Sequence, residues 1–429
     1  MNMSKSSLSH ASPPLSRLVL MICFWLVAAN GLEFPGPGLT ITPERVMAAP
    51  LGAAALVLLL VHGRVTLPLR STMLLGAWLF IAFAASLLGP VPTWSAKMYG
   101  ALLIASMYYL IPVALRMRPG ELINSRGFGL LAFLFGPFAS IAYASYAAGV
   151  LPSFLSTWIQ LDWNGGVRLK ALTTEANILG AFLPILILGM LAREQRRGAG
   201  WWVVVLGLNT SMLLCYSRIP WVAYLVCLFT YRIMIHPRNY SIQGLWKYLL
   251  IAIASISSVL LVWLVALDAF QSSENLNRVS SITTRFTMWT MAVHDINSYP
   301  LIGSGIFSFS EMHPDAPYLV GAETYRAAWI SNIFLAVAHD TGIIGLAVFS
   351  VFLMLLFRQG WKSARLLARE NCNAQAKIAA ACTAAGIGLL LAGQSIPSHS
   401  LGFFWFSLAM IEQLRCGAGF PDAGRRNKS

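Results

Sequence analysis

Residues 328–357 read AWISNIFLAVAHDTGIIGLAVFSVFLMLLF, and His339 and Asp340 are the only ionisable side chains among them. As a helix, this stretch would run about 45 Å. The hydrocarbon core of a bilayer is about 30 Å thick. The segment therefore reads as a membrane helix that tilts, projects or breaks. His339-Asp340-Thr341-Gly342 is the natural break, with Asp340 a candidate N-cap for a second half. Ser331 and Asn332 would stand about 12 Å outward of Asp340 on a regular helix. An ionisable pair inside a span is a functional candidate by default, although a capping Asp satisfied by local backbone is the plainer reading.

Eleven further apolar blocks surround it, near 18–32, 46–61, 72–90, 98–115, 127–151, 176–192, 201–217, 219–235, 248–266, 378–393 and 401–414. Together they predict an all-α polytopic membrane protein of about twelve transmembrane helices, a single membrane domain over 1–429. Composition agrees: 57% of the 429 residues are hydrophobic and only 11% charged. That excludes a soluble enzyme, a disordered chain and a disulfide scaffold. The first block follows Lys5 and Arg17 like a signal sequence, but no small-x-small cleavage site follows it, so it reads as a retained span.

The net charge of +14 could suggest nucleic acid. Its distribution argues for topology instead. Loops on the side of the N-terminus carry 22 Lys and Arg against 8 on the other side. The positive-inside rule makes the first side cytoplasmic and puts both termini there. Basic residues facing anionic lipid explain the balance without a nucleic-acid partner. Arg193–Arg197 and Lys362–Arg369 read as solvated inner-loop charge runs. The six cysteines, Cys23, Cys215, Cys227, Cys372, Cys382 and Cys416, show no Cys-x-x-Cys and no metal-type spacing. Neither disulfide nor metal is expected, and no Gly-rich nucleotide loop is present.

Chemistry is expected on the outer side. The loop 267–327 is far longer than a connector needs. Within it Phe286, Trp289, Val293 and Ile296 fall at helical spacing, predicting a short helix with one apolar stripe on the membrane surface or over a cleft. Pro300-Leu-Ile-Gly303-Ser-Gly305 then predicts a sharp turn with close backbone approach. Ser217-Arg218-Ile219-Pro220 is a tight hairpin holding Arg218 at the outer face, where a guanidinium suits bidentate phosphate binding or simply snorkels to headgroups. Arg168 and Lys170 precede Glu175 and Asn177 at the mouth of the span 176–192, a cavity lining or an ordinary polar loop. Together, Arg168, Arg218, Arg285 and Arg326 make a cationic, outward-facing site suited to a membrane-bound phosphate or diphosphate.

The order of these pieces resembles the O-antigen polymerase (Wzy-type) and O-antigen ligase family of bacterial inner-membrane proteins. The resemblance runs from about Arg168 to Leu355. It rests on Arg168…Ala176-Asn177-Ile-Leu-Gly180, Ser217-Arg218, Arg285-x-x-x-Trp289…Pro300-Leu-Ile-Gly-x-Gly305, and Ser331-Asn332, nine residues, Gly342-x-x-Gly345. It implies a GT-C-like helical membrane bundle with a periplasmic helical cap. It also implies a glycosyltransferase that moves glycan from an undecaprenyl-diphosphate carrier, with the bilayer as its setting, no cofactor, and a chain-length regulator as a partner. Arg168, Arg218, Arg285 and Asn332 would be catalytic: the arginines clamp the leaving diphosphate, and Asn332 orients an acceptor hydroxyl. Lys170, Asn177, Trp289, Arg326, Ser331, His339 and Asp340 would line the substrate. A general base is not assigned; His339, Asp340, Glu323 and His313 are candidates. The family's ligases carry a proposed catalytic His where this chain has Ser331, and a hydroxyl cannot take up a proton at neutral pH as an imidazole can. That points to the polymerase and exopolysaccharide branch. The alternatives are a ligase passing glycan to lipid A core or protein, and a flippase or transporter.

Overall fold

The computed structural model describes residues 14–30, 32, 34–36, 39–62, 68–161, 167–193, 198–236, 274–314, 329–370, 372–394, 396 and 398–417. Helices dominate among the described residues, beside two short antiparallel ribbons, Phe34–Gly36 with Leu39–Ile41 and Ile159–Leu161 with Val167–Leu169. The main helices are Pro14–Ala28, Pro43–His62, Leu69–Leu88, Pro92–Ala114, Arg126–Ala147, Ala176–Ala192, Ala199–Leu214, Arg218–Ile235, Glu274–Ser298, Ile333–Arg369, Asn373–Ala392 and Gly402–Gly417. Six are long and apolar enough to cross a membrane: Leu69–Leu88, Pro92–Ala114, Arg126–Ala147, Arg218–Ile235, Ile333–Arg369 and Asn373–Ala392. Arg17–Ala28, Ala176–Ala192 and Ala199–Leu214 are shorter apolar helices. The chain is an all-α polytopic membrane protein. Each expected apolar block coincides with a helix except 248–266, which lies outside the described residues.

Backbone polar groups in lipid must be satisfied within the helix, which is why apolar runs of this length fold this way. Ala176–Ala192 is buried on nearly every side and forms the centre of the bundle. Asn373–Ala392 packs beside it through small residues. A Cβ at Gly388 would strike Cys227 Sγ, and Cys227 Sγ donates to Ala384 O at 3.2 Å. Small residues at helix crossings of this kind let backbones approach closely. Residues that face away from the bundle are apolar too: Leu69, Phe80 and Leu88 are each about 70% exposed.

Ile333–Arg369 continues through Lys362 to Arg369, so that charge run is helix rather than loop. Its extra length lets Arg365 lie over the Trp361 ring at 5.3 Å. The helix breaks where the sequence suggested, at Gly342 (φ 68°, ψ −176°). Asp340 does not cap the second half; its carboxylate is engaged elsewhere, as described below. Within 267–327, the described residues form the helix Glu274–Ser298, the turn after it and a short helix Phe309–Met312.

Candidate active site

The site begins with two backbone features that complete each other. At Gly342 the helix leaves its regular path, which disrupts the ladder of hydrogen bonds around it. The turn after Pro300 supplies replacements. Ser304 N donates to His339 O at 2.8 Å, Gly305 N to Asp340 O at 3.0 Å, and Ile343 N to Pro300 O at 2.9 Å. Contact this close requires glycine. Gly303 and Gly305 have φ of 85° and 98°. A Cβ on Gly303 would collide with the backbone of Gly342, and one on Gly342 with Leu301 O. The Pro300–Gly305 turn and the Gly342-x-x-Gly345 motif, separate in the sequence, are one joint in space.

Side chains converge on this joint. The helix Glu274–Ser298 lays Met288 and Ala292 against Ile330, Phe309 and Ala336, and buries Asp295. Asp295 Oδ2 lies 2.7 Å from His313 Nε2 and 3.2 Å from His339 Nε2. His339 Nδ1 reaches Asp340 Oδ1 at 3.0 Å. Asp340 Oδ2 accepts the Phe307 N–H at 3.2 Å and has His399 Nε2 at 3.9 Å. His399 stacks flat on Phe307, with centroids 5.2 Å apart and planes at 5°. The order His313, Asp295, His339, Asp340, His399 alternates imidazole and carboxylate through a buried space. A buried carboxylate without donors would be costly, and the alternation gives each one partners. Only His313 reaches the surface, its side chain 21% exposed against 0% for His339. Burial raises the Asp295 pKa, but hydrogen bonds from His339 and His313 outweigh it and hold the carboxyl below its ordinary value.

A second group stands at a corner of the bundle. Arg168 lies on the ribbon opposite Gln160, and Gln160 Oε1 accepts the Ala176 N–H at 2.8 Å. This ties the ribbon to the mouth of Ala176–Ala192, where Asn177 is half-buried. Arg168 interacts electrostatically with Cys215, three residues before Arg218. Gly180 faces Pro220 and Cys215. The ribbon bearing Arg168 and Lys170, the start of Ala176–Ala192 with Asn177 and the start of Arg218–Ile235 are therefore neighbouring segments; Arg218 is exposed, and the Lys170 N–H donates to Trp158 O at 2.9 Å. Arg218–Ile235 runs antiparallel to Asn373–Ala392, since Gly388 meets Ala223 and Cys227 while Ala384 meets Cys227. That sets Arg218 at the same end as Gly393, whose O accepts the Ile333 N–H at 2.9 Å. The cationic corner and the histidine–aspartate chain thus share one end of the bundle.

The other expected residues fall as follows. Arg285 is ten residues before Asp295 on the same helix, about 15 Å along its axis, and half-buried. Trp289 is half-buried beside Phe286, with Nε1 enclosed and lacking a hydrogen-bond partner among the described residues. Arg326 and Glu323 lie outside the described residues. Ser331 is buried, its hydroxyl enclosed and similarly unpartnered. Asn332 is the N-cap of Ile333–Arg369: its Oδ1 accepts the Leu335 N–H at 3.0 Å, so that oxygen serves the helix end. The expected apolar stripe is split: Phe286 is 60% and Val293 49% exposed, while Trp289 and Ile296 are half-buried. The buried face carries Met288, Ala292 and Asp295 instead.

Sequence reasoning missed Asp295 and His399. Asp295 did carry a signal, since it sits seven residues after Met288 and three after Ala292, on one helical face. His399 carried none, being 59 residues from Asp340 in a short connector.

Residues 202–350 match the family model described as O-antigen ligase. The match covers 149 of the 429 residues. The matched region contains Arg218, Arg285 to Gly305 and Ser331 to Gly345, so the joint and most of the histidine–aspartate chain lie inside it. Arg168 to Gly180 and His399 lie outside it. No curated protein matches the chain. The family domain and the apolar helices together support membrane-bound glycan assembly of the O-antigen ligase and polymerase type.

Proposed function

We propose that the protein polymerises undecaprenyl-diphosphate-linked oligosaccharide repeats on the periplasmic face of the bacterial inner membrane. The observation that supports this reading is that the segments bearing Arg168, Asn177 and Arg218 are neighbours at the bundle end that also holds Ser331 and the glycine joint. Guanidinium groups suit a diphosphate because they stay charged and bond it bidentately. Charge bias in the loops supports a periplasmic position for that end. The growing glycan leaves its carrier as a sugar hydroxyl of the next carrier-linked repeat attacks the anomeric carbon. Arg168 and Arg218 stabilise the departing diphosphate, a role that needs no nucleotide cofactor. The bilayer supplies both substrates.

Ser331 separates this reading from the ligase reading that the family model's description favours. A serine with an enclosed hydroxyl is a poor replacement for the histidine to which ligases of the family owe their proposed proton transfer. A deletion strain tests the choice. Single carrier-linked repeats without long polymer are expected. Full-length polymer stranded on the carrier would mean a ligase. Unchanged glycans in both pools would remove the family function altogether.

A further inference from the structure

We propose that His313, oriented by Asp295, is the general base that deprotonates the acceptor hydroxyl, taking the role that Ser331 cannot fill. The inference rests on the polymerase reading above.

The geometry fixes the tautomer. One carboxylate oxygen, Asp295 Oδ2, faces His313 Nε2 at 2.7 Å and His339 Nε2 at 3.2 Å. An ionised carboxylate only accepts, so a neutral His313 carries its proton on Nε2 and keeps a lone pair on Nδ1. That is the arrangement in which a buried acid orients an imidazole for proton transfer. Of the three imidazoles in the histidine–aspartate series, His313 has an exposed edge, while His339 and His399 are enclosed. Phe309 holds the ring from the side at 4.8 Å between centroids. Asp295 is itself held in place by His339, and His339 by Asp340, whose Oδ2 is tied to the Phe307 N–H. Asp295 is therefore a positioning residue, and the buried remainder of the chain supports it.

The step balances as follows. The acceptor oxygen forms a bond to the anomeric carbon of the donor sugar. The bond from that carbon to the diphosphate oxygen breaks, and its electron pair leaves with undecaprenyl diphosphate. The hydroxyl proton passes to His313 Nδ1. The resulting imidazolium sits against the Asp295 carboxylate and returns its proton to water. Among the described residues, the titratable groups around His313 are Asp295 and the exposed His294 on the helix Glu274–Ser298, His339 and Asp340 on the kinked helix, Glu311 on its own short helix, and His399 beyond Asp340.

The test uses the full-length protein in liposomes, fed carrier-linked repeats extracted from the deletion strain. Wild type should elongate them, with a rate that falls toward acid as the base protonates. H313Q should lower the turnover rate by about 10²- to 10⁴-fold, leave the KM for carrier-linked repeat within threefold, and lose that acid limb. D295N should fall in between and move the limb. H294Q, altering an exposed neighbour, should match wild type. A wild-type rate that does not fall toward acid overturns the proposal without any variant. So does an H313Q protein with wild-type rate and pH profile while R218A is dead, which would leave the polymerase reading standing. Wild type that elongates nothing overturns both.

Discussion

Replacing Gly342 with alanine should separate the outer loop from the kinked helix while the membrane helices stay intact. The residue has φ 68° and ψ −176°, a conformation nearly confined to glycine. A side chain there costs about 1–3 kcal/mol in backbone strain alone. Its Cβ would also collide with Leu301 O and come within 2.7 Å of Ile302 N. The protein can tolerate that clash or release the turn. Release loses three hydrogen bonds, from Ser304, Gly305 and Ile343, at about 1 kcal/mol each. The smaller cost decides, so docking should weaken by up to about 3 kcal/mol, roughly 150-fold in the docked population. Hydrogen exchange read peptide by peptide gives the answer. Amides of 299–308 and of Ile343 should lose protection in G342A, while those of 347–369 keep it. Elongation should fall in step, because Asp295 and Phe307 would leave His339 and Asp340. Unchanged protection at 299–308 with full activity would refute the joint as the element that holds the site together.

Other perturbations separate the remaining roles. R218A and R168A should each abolish polymer in cells while the protein remains in the membrane at normal level, measured by glycan sizing and immunoblot; normal-length polymer from R218A would end the diphosphate role. Asp295 has a depressed pKa, so its stabilisation is complete above the unfolded carboxyl value near pH 4 and fades as pH falls through the lower folded value. D295N should therefore melt lower than wild type near neutrality and lose the acid-dependent part of the decline, read as thermal midpoint against pH in detergent. N332A should cost about 1 kcal/mol through the lost cap, and N332D should restore the midpoint; if N332D restores stability but not elongation, the amide also serves the acceptor. Ser331→His alone should leave polymer length unchanged, and glycan sizing after complementation checks it.

What the sequence made legible was whatever the bilayer enforces. A helix in lipid needs about 20 apolar residues whatever its neighbours do, so the blocks coincide with helices throughout the described residues. The break at Gly342 was legible because a thirty-residue stretch overshoots the membrane and contains a glycine beside its only charges. The face of Glu274–Ser298 was not legible, and the reason is physical. In water an apolar stripe marks the side that packs on a core. Beside lipid, apolar residues suit the outside as well, and here Phe286 and Val293 are exposed while an aspartate is buried. The polar residue was the better guide, because burying it requires partners.

The same reasoning explains why Asp295, His313, His339 and His399 could not be joined from the sequence. Asp295 and His339 are 44 residues apart, and no spacing rule reaches that far. What brings them together is the backbone joint, where Gly303 and Gly342 allow two chains to touch that side chains would hold apart. The glycines are thus tied to the chemistry without taking part in it. Ser304 N on His339 O and Gly305 N on Asp340 O fix the backbone of the two residues whose side chains continue the chain toward Asp295 and His399. If the joint slips, Asp295 loses His339, one of the two imidazoles on its Oδ2, and keeps His313, a less favourable state for a buried carboxylate. Docking of the loop and assembly of the proposed base are therefore one equilibrium, and a mutation at Gly303 or Gly342 should depress the turnover rate in proportion to the docked fraction rather than change the pH at which the acid limb falls.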